Sequence, residues 1–158
     1  MIEKKFCPTC GSCLSPYKVT ITQMMVDALI KFRMAVIDKG ENSVHLLKDM
    51  KGKSYELTRH EWNNFSRERF LVFAVKVEDK SGYWLLTKRG ADFLNGEVAV
   101  PYFVWIFNNK IIERSEKKVF VKDILGTTPY METKSDIEYG IPESAKEYLQ
   151  EPGQVKLF

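Results

Sequence analysis

The sequence predicts an α+β fold with a metal-binding segment at its start, and three observations lead to this prediction. Apolar residues recur at three- and four-residue spacing from residue 21 to 36, as in an amphipathic helix. Later in the chain, two apolar runs are each split by turn residues, as in β-hairpins. Three Cys residues fall within seven positions, from Cys7 to Cys13, and this spacing is too tight for an ordinary disulfide framework. The 158 residues are enough to bury a core.

The first helix carries the clearest pattern and is predicted over residues 21–39. Thr20 with Gln23 fits a capping box at its start, and Gly40 fits the left-handed residue that ends a helix. Its Met-rich stripe is interpreted as core packing, which is a commoner role than that of a promiscuous groove. The apolar positions of this helix are Ile21, Met24, Met25, Ala28, Leu29, Phe32 and Val36.

Two short helices are predicted next, after an exposed loop at 48–54 that carries three lysines. Thr58 and Glu61 repeat the capping-box spacing and start the first of these helices. Ser66 starts the second, which is expected to run to Val75.

A β-hairpin and a further helix complete the central part of the chain. The hairpin is predicted over 75–86, with its turn at 79–82. Thr87 is expected to cap a helix over 88–95 that ends at Gly96.

The last third of the chain is predicted to contain a second hairpin over 104–112, a third strand at 119–121 and one helical turn at 123–126. Beyond it, a composition rich in Pro, Gly and charge predicts an irregular tail, with one short helix near 144–149. The predicted organisation, in chain order, is a zinc-knuckle-like segment 1–17, a core 18–96, a β-rich extension 97–126 and a tail 127–158.

The order of a long helix, two short helices and a hairpin over residues 21–87 resembles the winged helix-turn-helix family. The most family-like stretch is Tyr83-Trp84-Leu85-Leu86-Thr87-Lys88-Arg89-Gly90. The resemblance implies a winged helix-turn-helix-like core in which the second short helix is the recognition helix and the hairpin is the wing. We expect Trp84 and Phe93 to be buried and to join the wing to the helix that follows it.

The residue types on the predicted recognition helix disfavour sequence-specific DNA binding. At 100° per residue, Phe65, Glu68, Arg69 and Val72 face outward. Base readout favours Arg, Lys, Asn or Gln at such positions, and Glu68 would repel phosphate. DNA binding is therefore expected to use backbone contacts, and the residues predicted to make them are Lys48, Lys51, Lys53, Arg69, Lys80, Lys88 and Arg89.

The segment Cys7-Pro8-Thr9-Cys10-Gly11 resembles one half of a zinc ribbon, since a Cys-x-x-Cys-Gly turn lets two thiolates converge on one ion. Zinc is therefore the expected cofactor. Cys13 is the candidate third ligand, and His45 is the candidate fourth, with His60 as the alternative. The competing interpretation is a decayed ribbon with free thiols. A thioredoxin-like role of Cys7 and Cys10 is disfavoured because Pro16 follows too soon for the helix which that motif opens.

The whole chain also resembles a group of proteins from bacteriophages and other bacterial mobile elements. The resemblance rests on the Cys-Pro-x-Cys-Gly motif, on the block from Gly82 to Leu94 and on a Val-Pro pair followed by Asn-Asn-Lys. It implies a source for the protein and no activity.

Charge and motif content favour a binding protein over an enzyme. Nine Lys/Arg stand against five Asp/Glu over residues 1–54, seven against six over 55–96, and eight against ten over 97–158, so the net charge falls from +4 through +1 to −2 along the chain. No phosphate-cradling Gly-rich loop, G-x-S-x-G or H-E-x-x-H motif occurs in the sequence.

These features predict a nucleic-acid-associated regulator or accessory factor that contacts the DNA backbone. The alternative is a protein-interaction module that binds and modulates a host protein through the face of Phe65, Glu68 and Val72. A homodimer is compatible with both functions. The sequence lacks an apolar run near the roughly 20 residues of a membrane span and a signal-peptide pattern, so we expect a cytoplasmic protein.

Overall fold

The computed structural model describes residues 16–129 and residue 139. Their architecture is mixed α and β, which confirms the predicted α+β class. The helices are α1 (Gln23–Lys39), α2 (Arg59–Asn64), a 3-10 helix (Phe65–Leu71), α3 (Lys88–Leu94) and α4 (Val121–Leu125). The strands are β1 (Tyr17–Thr20), β2 (Val44–His45), β3 (Ala74–Lys76), β4 (Tyr83–Leu86), β5 (Val100–Pro101), β6 (Phe103–Phe107), β7 (Lys110–Arg114) and β8 (Lys118–Val119).

The strands of the described residues form three small antiparallel sheets, in the orders β2-β4-β3, β1-β6-β7 and β5-β8. Both predicted hairpins are present, as β3-β4 and β6-β7. The strand predicted near Val119 is also present, but it pairs with β5 and not with the second hairpin. Because β1 pairs with β6, one sheet joins the chain before α1 to the predicted β-rich extension.

Helix α1 begins at Gln23, two residues later than predicted. The N–H of Ile21 donates to the carbonyl oxygen of Tyr102 at 3.0 Å, and this bond continues the pairing of β1 beyond its last residue. The cap is therefore Thr22, whose hydroxyl accepts from the N–H of Met25 at 3.3 Å. Gly40 ends the helix at φ 74°, as predicted.

Aromatic side chains from the helices and the first hairpin meet in the core. The ring of Phe65 lies 5.3 Å from that of Phe32 and 5.0 Å from that of Trp84. Phe93 of α3 stacks on Phe73 with a centroid distance of 4.7 Å. Trp84 is 4% exposed and Phe93 is 0% exposed, so the prediction that both are buried is confirmed.

The predicted recognition helix differs from the observed element. A 3-10 helix ends at Leu71, and Val72 follows with the left-handed φ of 59°. A 3-10 helix has about 3 residues per turn, so side chains three positions apart lie above one another. Phe65, Glu68 and Leu71 consequently share one face, and all three are buried. The prediction that Phe65, Glu68 and Val72 face outward is wrong, because the 100° spacing of an α-helix does not apply here.

The junction between β4 and α3 is closely packed. The Thr87 hydroxyl caps α3 by accepting from the N–H of Gly90 at 3.0 Å, as predicted, and it also lies within hydrogen-bond distance of the carbonyl oxygens of Val72 and Phe73. A Cβ on Gly90 would lie 2.3 Å from the carbonyl oxygen of Phe73. The first turn of α3 is thus held directly against the end of the segment that follows the 3-10 helix.

No helix within the described part of the chain has the length and apolar character needed to cross a membrane.

Candidate nucleic-acid interface and neighbouring groove

The turn after β2 lies beside the tip of the first hairpin. His45 is paired with Tyr83 across β2 and β4, and the N–H of Leu46 donates to the carbonyl oxygen of Gly82 at 3.3 Å. Lys48, Lys51 and Lys53 are exposed on the turn, and Lys80 is exposed on the hairpin tip. We refer to these four side chains as the lysine cluster.

The turn that carries three of these lysines is fixed by several contacts. The Asp49 carboxylate accepts from the N–H of His45 at 2.8 Å, and the N–H of Asp49 donates back to the His45 carbonyl oxygen at 3.0 Å. Met50 is fully buried and anchors the middle of the turn in the core. The lysines are therefore presented from a defined backbone.

Two aromatic rings lie where the turn after β2 meets the first hairpin. The His45 and Tyr83 rings meet edge to face at a centroid distance of 5.0 Å. The Lys80 ammonium lies 5.6 Å from the centre of the Tyr83 ring, within range of a cation–π contact. Lys39 lies 5.3 Å from the same ring, but the Asp49 carboxylate, at 2.9 Å from its ammonium, already pairs with its charge.

The lysine cluster is positively charged, with acidic residues close by. Among the described residues, none of the four lysines forms an ion pair. Asp49 is engaged by Lys39, and the Glu56 carboxylate accepts from the N–H of Gly52 at 2.8 Å. Glu78 and Asp79 are exposed next to Lys80 in the chain. Glu78 and Asp79 reduce the positive potential at the hairpin tip, so the three lysines on the turn after β2 provide most of the positive charge of the cluster.

The other three predicted phosphate-binding residues, Arg69, Lys88 and Arg89, lie outside the lysine cluster. Lys88 and Arg89 start α3, beyond the end of β4 that is opposite the hairpin tip. The Lys88 ammonium pairs with Asp92 at 2.7 Å, which raises the pKa of Lys88. The structure does not gather all seven predicted residues on one surface.

The two arginines have structural contacts at the end of the 3-10 helix. The Arg89 Nε donates to the carbonyl oxygen of Leu71 at 3.0 Å, and the Arg69 Nη2 donates to the Asn109 side-chain oxygen at 3.4 Å. Burial and the nearby Arg114 lower the pKa of Arg89. Arg69 thus ties the 3-10 helix to the turn of the second hairpin, while Arg89 ties it to α3.

The predicted metal ligands are only partly within the described residues. Cys7, Cys10 and Cys13 lie outside them. His45 lies within them, and its Nδ1 accepts from the N–H groups of Leu47 at 3.1 Å and Lys48 at 3.0 Å. A neutral imidazole that accepts at Nδ1 carries its proton on Nε2 and has no second lone pair for a metal. In this arrangement the Nδ1 atom of His45 is engaged by the backbone of the turn. The predicted role of His45 as the fourth metal ligand therefore gains no support. Within the described ranges, no three His, Cys, Asp or Glu side chains are grouped so that they could hold a metal ion.

Comparison with known proteins gave no match: no protein-family model, no curated protein and no solved structure matches this chain.

Glu68 has surroundings that the sequence did not reveal. It is 1% exposed, and neither carboxylate oxygen has a hydrogen-bond partner among the described residues. The side chain lies with Met25, Ala28 and Phe65 around a small internal space between α1 and the 3-10 helix. Burial without a partner raises the pKa of Glu68 well above its ordinary value. Glu68 is a core residue and does not face DNA, contrary to the prediction that it would repel phosphate.

An apolar groove lies between the turn after β2 and the start of α2, and it has a volume of about 270 Å³. Trp62 and Leu47 border it and are 44% and 50% exposed. The remaining lining residues are Leu46, Lys51, Glu56, Leu57 and Arg59. Trp62 lies in the polar stretch 59–64, whereas the buried Trp84 lies in the apolar run 83–86. The polar neighbours of Trp62 indicate exposure, but the prediction of α2 did not use them, and sequence reasoning therefore missed this groove.

Proposed function

We propose that this protein is a non-enzymatic, nucleic-acid-associated regulator or accessory factor that contacts the phosphate backbone through the lysine cluster. The observation that carries the proposal is the presentation of four exposed lysines, without ion pairs among the described residues, on the turn after β2 and the hairpin tip beside it. Lysine ammonium groups neutralise phosphates, and binding of this kind is largely independent of sequence. Such a role would place the protein in the cytoplasm.

The order of elements supports a winged-helix-like core for this role. A long helix α1 is followed by the short α2, the 3-10 helix and the β3-β4 hairpin, whose sheet is completed by β2. The hairpin would act as the wing and bring Lys80 to the backbone. The 3-10 helix buries Phe65 and Glu68 and presents few side chains to a groove. Backbone contact without base readout is therefore the mode of binding that we propose.

Replacing Lys48, Lys53 and Lys80 together by Ala is expected to weaken the binding of duplex DNA and to reduce its dependence on salt. Each phosphate contact adds about 0.9 to the slope of log affinity against log salt concentration, so the slope should flatten by about 2 to 3. The measurement is fluorescence anisotropy of labelled duplexes of two unrelated sequences over a salt series. Both duplexes should lose affinity alike.

The matched control replaces Lys110, Lys118 and Lys122 by Ala, since these are also exposed lysines and the change in net charge is the same. This control should keep the wild-type slope. An unchanged slope in the Lys48/Lys53/Lys80 variant, or an equal change in the control, would rule out the lysine cluster as the contact surface. A wild-type protein without salt-sensitive affinity would rule out the proposed function.

We also propose that Cys7, Cys10 and Cys13 bind zinc, on the strength of their spacing. The purified protein is expected to carry about one zinc per chain, because thiolates in a Cys-x-x-Cys-Gly turn form half of a tetrahedral site. Elemental analysis of protein from zinc-replete medium measures the content. The Cys7→Ser/Cys10→Ser variant should lose the metal and melt at a lower temperature. A metal-free wild type that is as stable as this variant would disprove zinc binding.

A further inference from the structure

The groove beside Trp62 has the size and lining of a side-chain pocket. Its volume of about 270 Å³ lies just below the range of about 300 to 1,000 Å³ that is usual for small-molecule sites. Its walls are formed by Leu46, Leu47, Leu57 and Trp62, with Lys51 and Arg59 among the other lining residues. A space of this kind fits one or two apolar side chains better than it fits a cofactor.

The charge of the groove restricts what can occupy it. Lys51 and Arg59 have no ion pair among the residues that the structure describes. The one acidic lining residue, Glu56, already accepts a hydrogen bond from the N–H of Gly52. Lys51 and Arg59 against Glu56 give the lining a net charge of +1, which complements an acidic occupant.

Two other occupants fit less well. A second copy of this chain, docked by a two-fold axis, would bring Lys51 and Arg59 of one copy close to the same residues of the other, and like charges in contact oppose association. Nucleic acid phosphates could pair with Lys51 and Arg59, but a phosphate has no apolar group to cover Leu47, Leu57 and Trp62, so it would use only the charged part of the groove.

We propose that this groove binds a segment of a partner protein in which one or two large apolar side chains are flanked by Asp or Glu. Trp62 is the main apolar contact, since Trp is one of the residue types enriched among those that dominate binding energy. Lys51 and Arg59 pair with the acidic flanks. The groove shares Lys51 with the lysine cluster, whereas Lys48, Lys53 and Lys80 of the cluster do not line the groove.

The probe is a short synthetic peptide of Leu, Phe, Asp and Glu, paired with a second peptide in which every Asp and Glu is replaced by Lys. Amide and indole resonances of the ¹⁵N-labelled full chain are followed by nuclear magnetic resonance during titration. The acidic peptide should shift the Trp62 indole signal and the amides around the groove. The lysine peptide should leave them unchanged.

Three variants test the assignment. Trp62→Ala should weaken the binding of the acidic peptide at least about tenfold. Phe120→Ala, the matched change at an exposed aromatic residue outside the groove, should have no effect. The charge reversal Lys51→Glu/Arg59→Glu should reverse the preference, so that the groove binds the lysine peptide more tightly than the acidic peptide. It also keeps the test decisive if Trp62→Ala fails to fold.

The proposal is overturned if the acidic peptide causes no shift, if both peptides bind equally, or if the charge reversal leaves the preference unchanged. It is equally overturned if Trp62 responds to protein concentration alone, which indicates a second copy, or to a DNA duplex instead of the peptide. The Lys48/Lys53/Lys80 variant should bind the acidic peptide as the wild type does. Failure of the phosphate contact and failure of the groove are thereby separable.

Discussion

Truncation of Phe93 to Ala is expected to lower the free energy of unfolding by about 3 to 5 kcal/mol. The Phe93 ring is fully buried and stacks on Phe73 at 4.7 Å, so its removal leaves a cavity where α3 meets the segment after the 3-10 helix. That segment is held close by Gly90 and Thr87, which restricts collapse of the cavity. Urea denaturation followed by circular dichroism measures the loss.

Trp84→Ala should produce a loss of the same size, because the indole packs edge to face on Phe65 in the centre of the core. Phe120→Ala is the control, since Phe120 is 38% exposed, and it should change the stability by less than about 0.5 kcal/mol. If Phe93→Ala is as stable as this control, the packing of α3 on Phe73 described above is incorrect. If Trp84→Ala is as stable as the control, the packing of β4 on the 3-10 helix is incorrect.

Replacing Glu68 by Gln is expected to stabilise the protein at neutral pH, because Glu68 must take up a proton to be buried whereas Gln is neutral in both the folded and the unfolded chain. The gain is about 1.4 kcal/mol for each pH unit above the unfolded pKa, up to the folded pKa. The substitution keeps the shape of the side chain and removes the cost of keeping it protonated at neutral pH. Glu68→Met, which also removes the polar atoms, should stabilise the protein at least as much as Glu68→Gln does. Glu78→Gln, at an exposed position, is the matched control and should have little effect.

The Glu68 effect has a defined pH dependence. The unfolded chain ionises Glu68 near its ordinary pKa of 4.5, whereas the folded chain keeps the proton to higher pH. Between the unfolded and the folded pKa the native state therefore binds more protons, and stability falls as pH rises, by about 1.4 kcal/mol for each pH unit from this group alone. Below pH 4.5 this loss is absent.

Denaturation curves at pH 4 to 8 should therefore show the advantage of Glu68→Gln growing with pH and vanishing at the acidic end. An advantage that is constant over this range would show that the folded protein carries Glu68 ionised. A destabilised Glu68→Gln that is also insensitive to pH would mean that the carboxylate has a partner within the fold.

Local chemistry explains what the sequence could predict. Thr58, Thr87 and Gly40 mark helix ends because a hydroxyl or a left-handed glycine satisfies backbone groups within a few residues, and all three have these roles. Asn108 and Asn109 have positive φ in the turn of the second hairpin for the same local reason.

Tertiary contacts explain what the sequence could not predict. The change from an α-helix to a 3-10 helix at Phe65 makes Glu68 buried instead of exposed. No residue type near Phe65 indicates this change in the number of residues per turn. The two-residue strands β5 and β8 exist only as partners of each other. Composition was enough to identify the basic residues of the candidate site. It could not show that Lys80 lies before β4, at the hairpin tip, while Lys88 and Arg89 lie beyond the opposite end of this strand.

The pairing of β1 with β6 sets a condition on the order of folding. Tyr17–Thr20 is made first during synthesis, yet its partner Phe103–Phe107 follows more than 80 residues later. Closing such a long loop costs entropy before any contact repays it. On a growing chain, β1 has no partner until β6 has been synthesised, and its backbone donors and acceptors can pair with other chains in the meantime. Slower translation between β1 and β6 is therefore expected to lower the yield of native protein, because it lengthens the time for which β1 is unpaired.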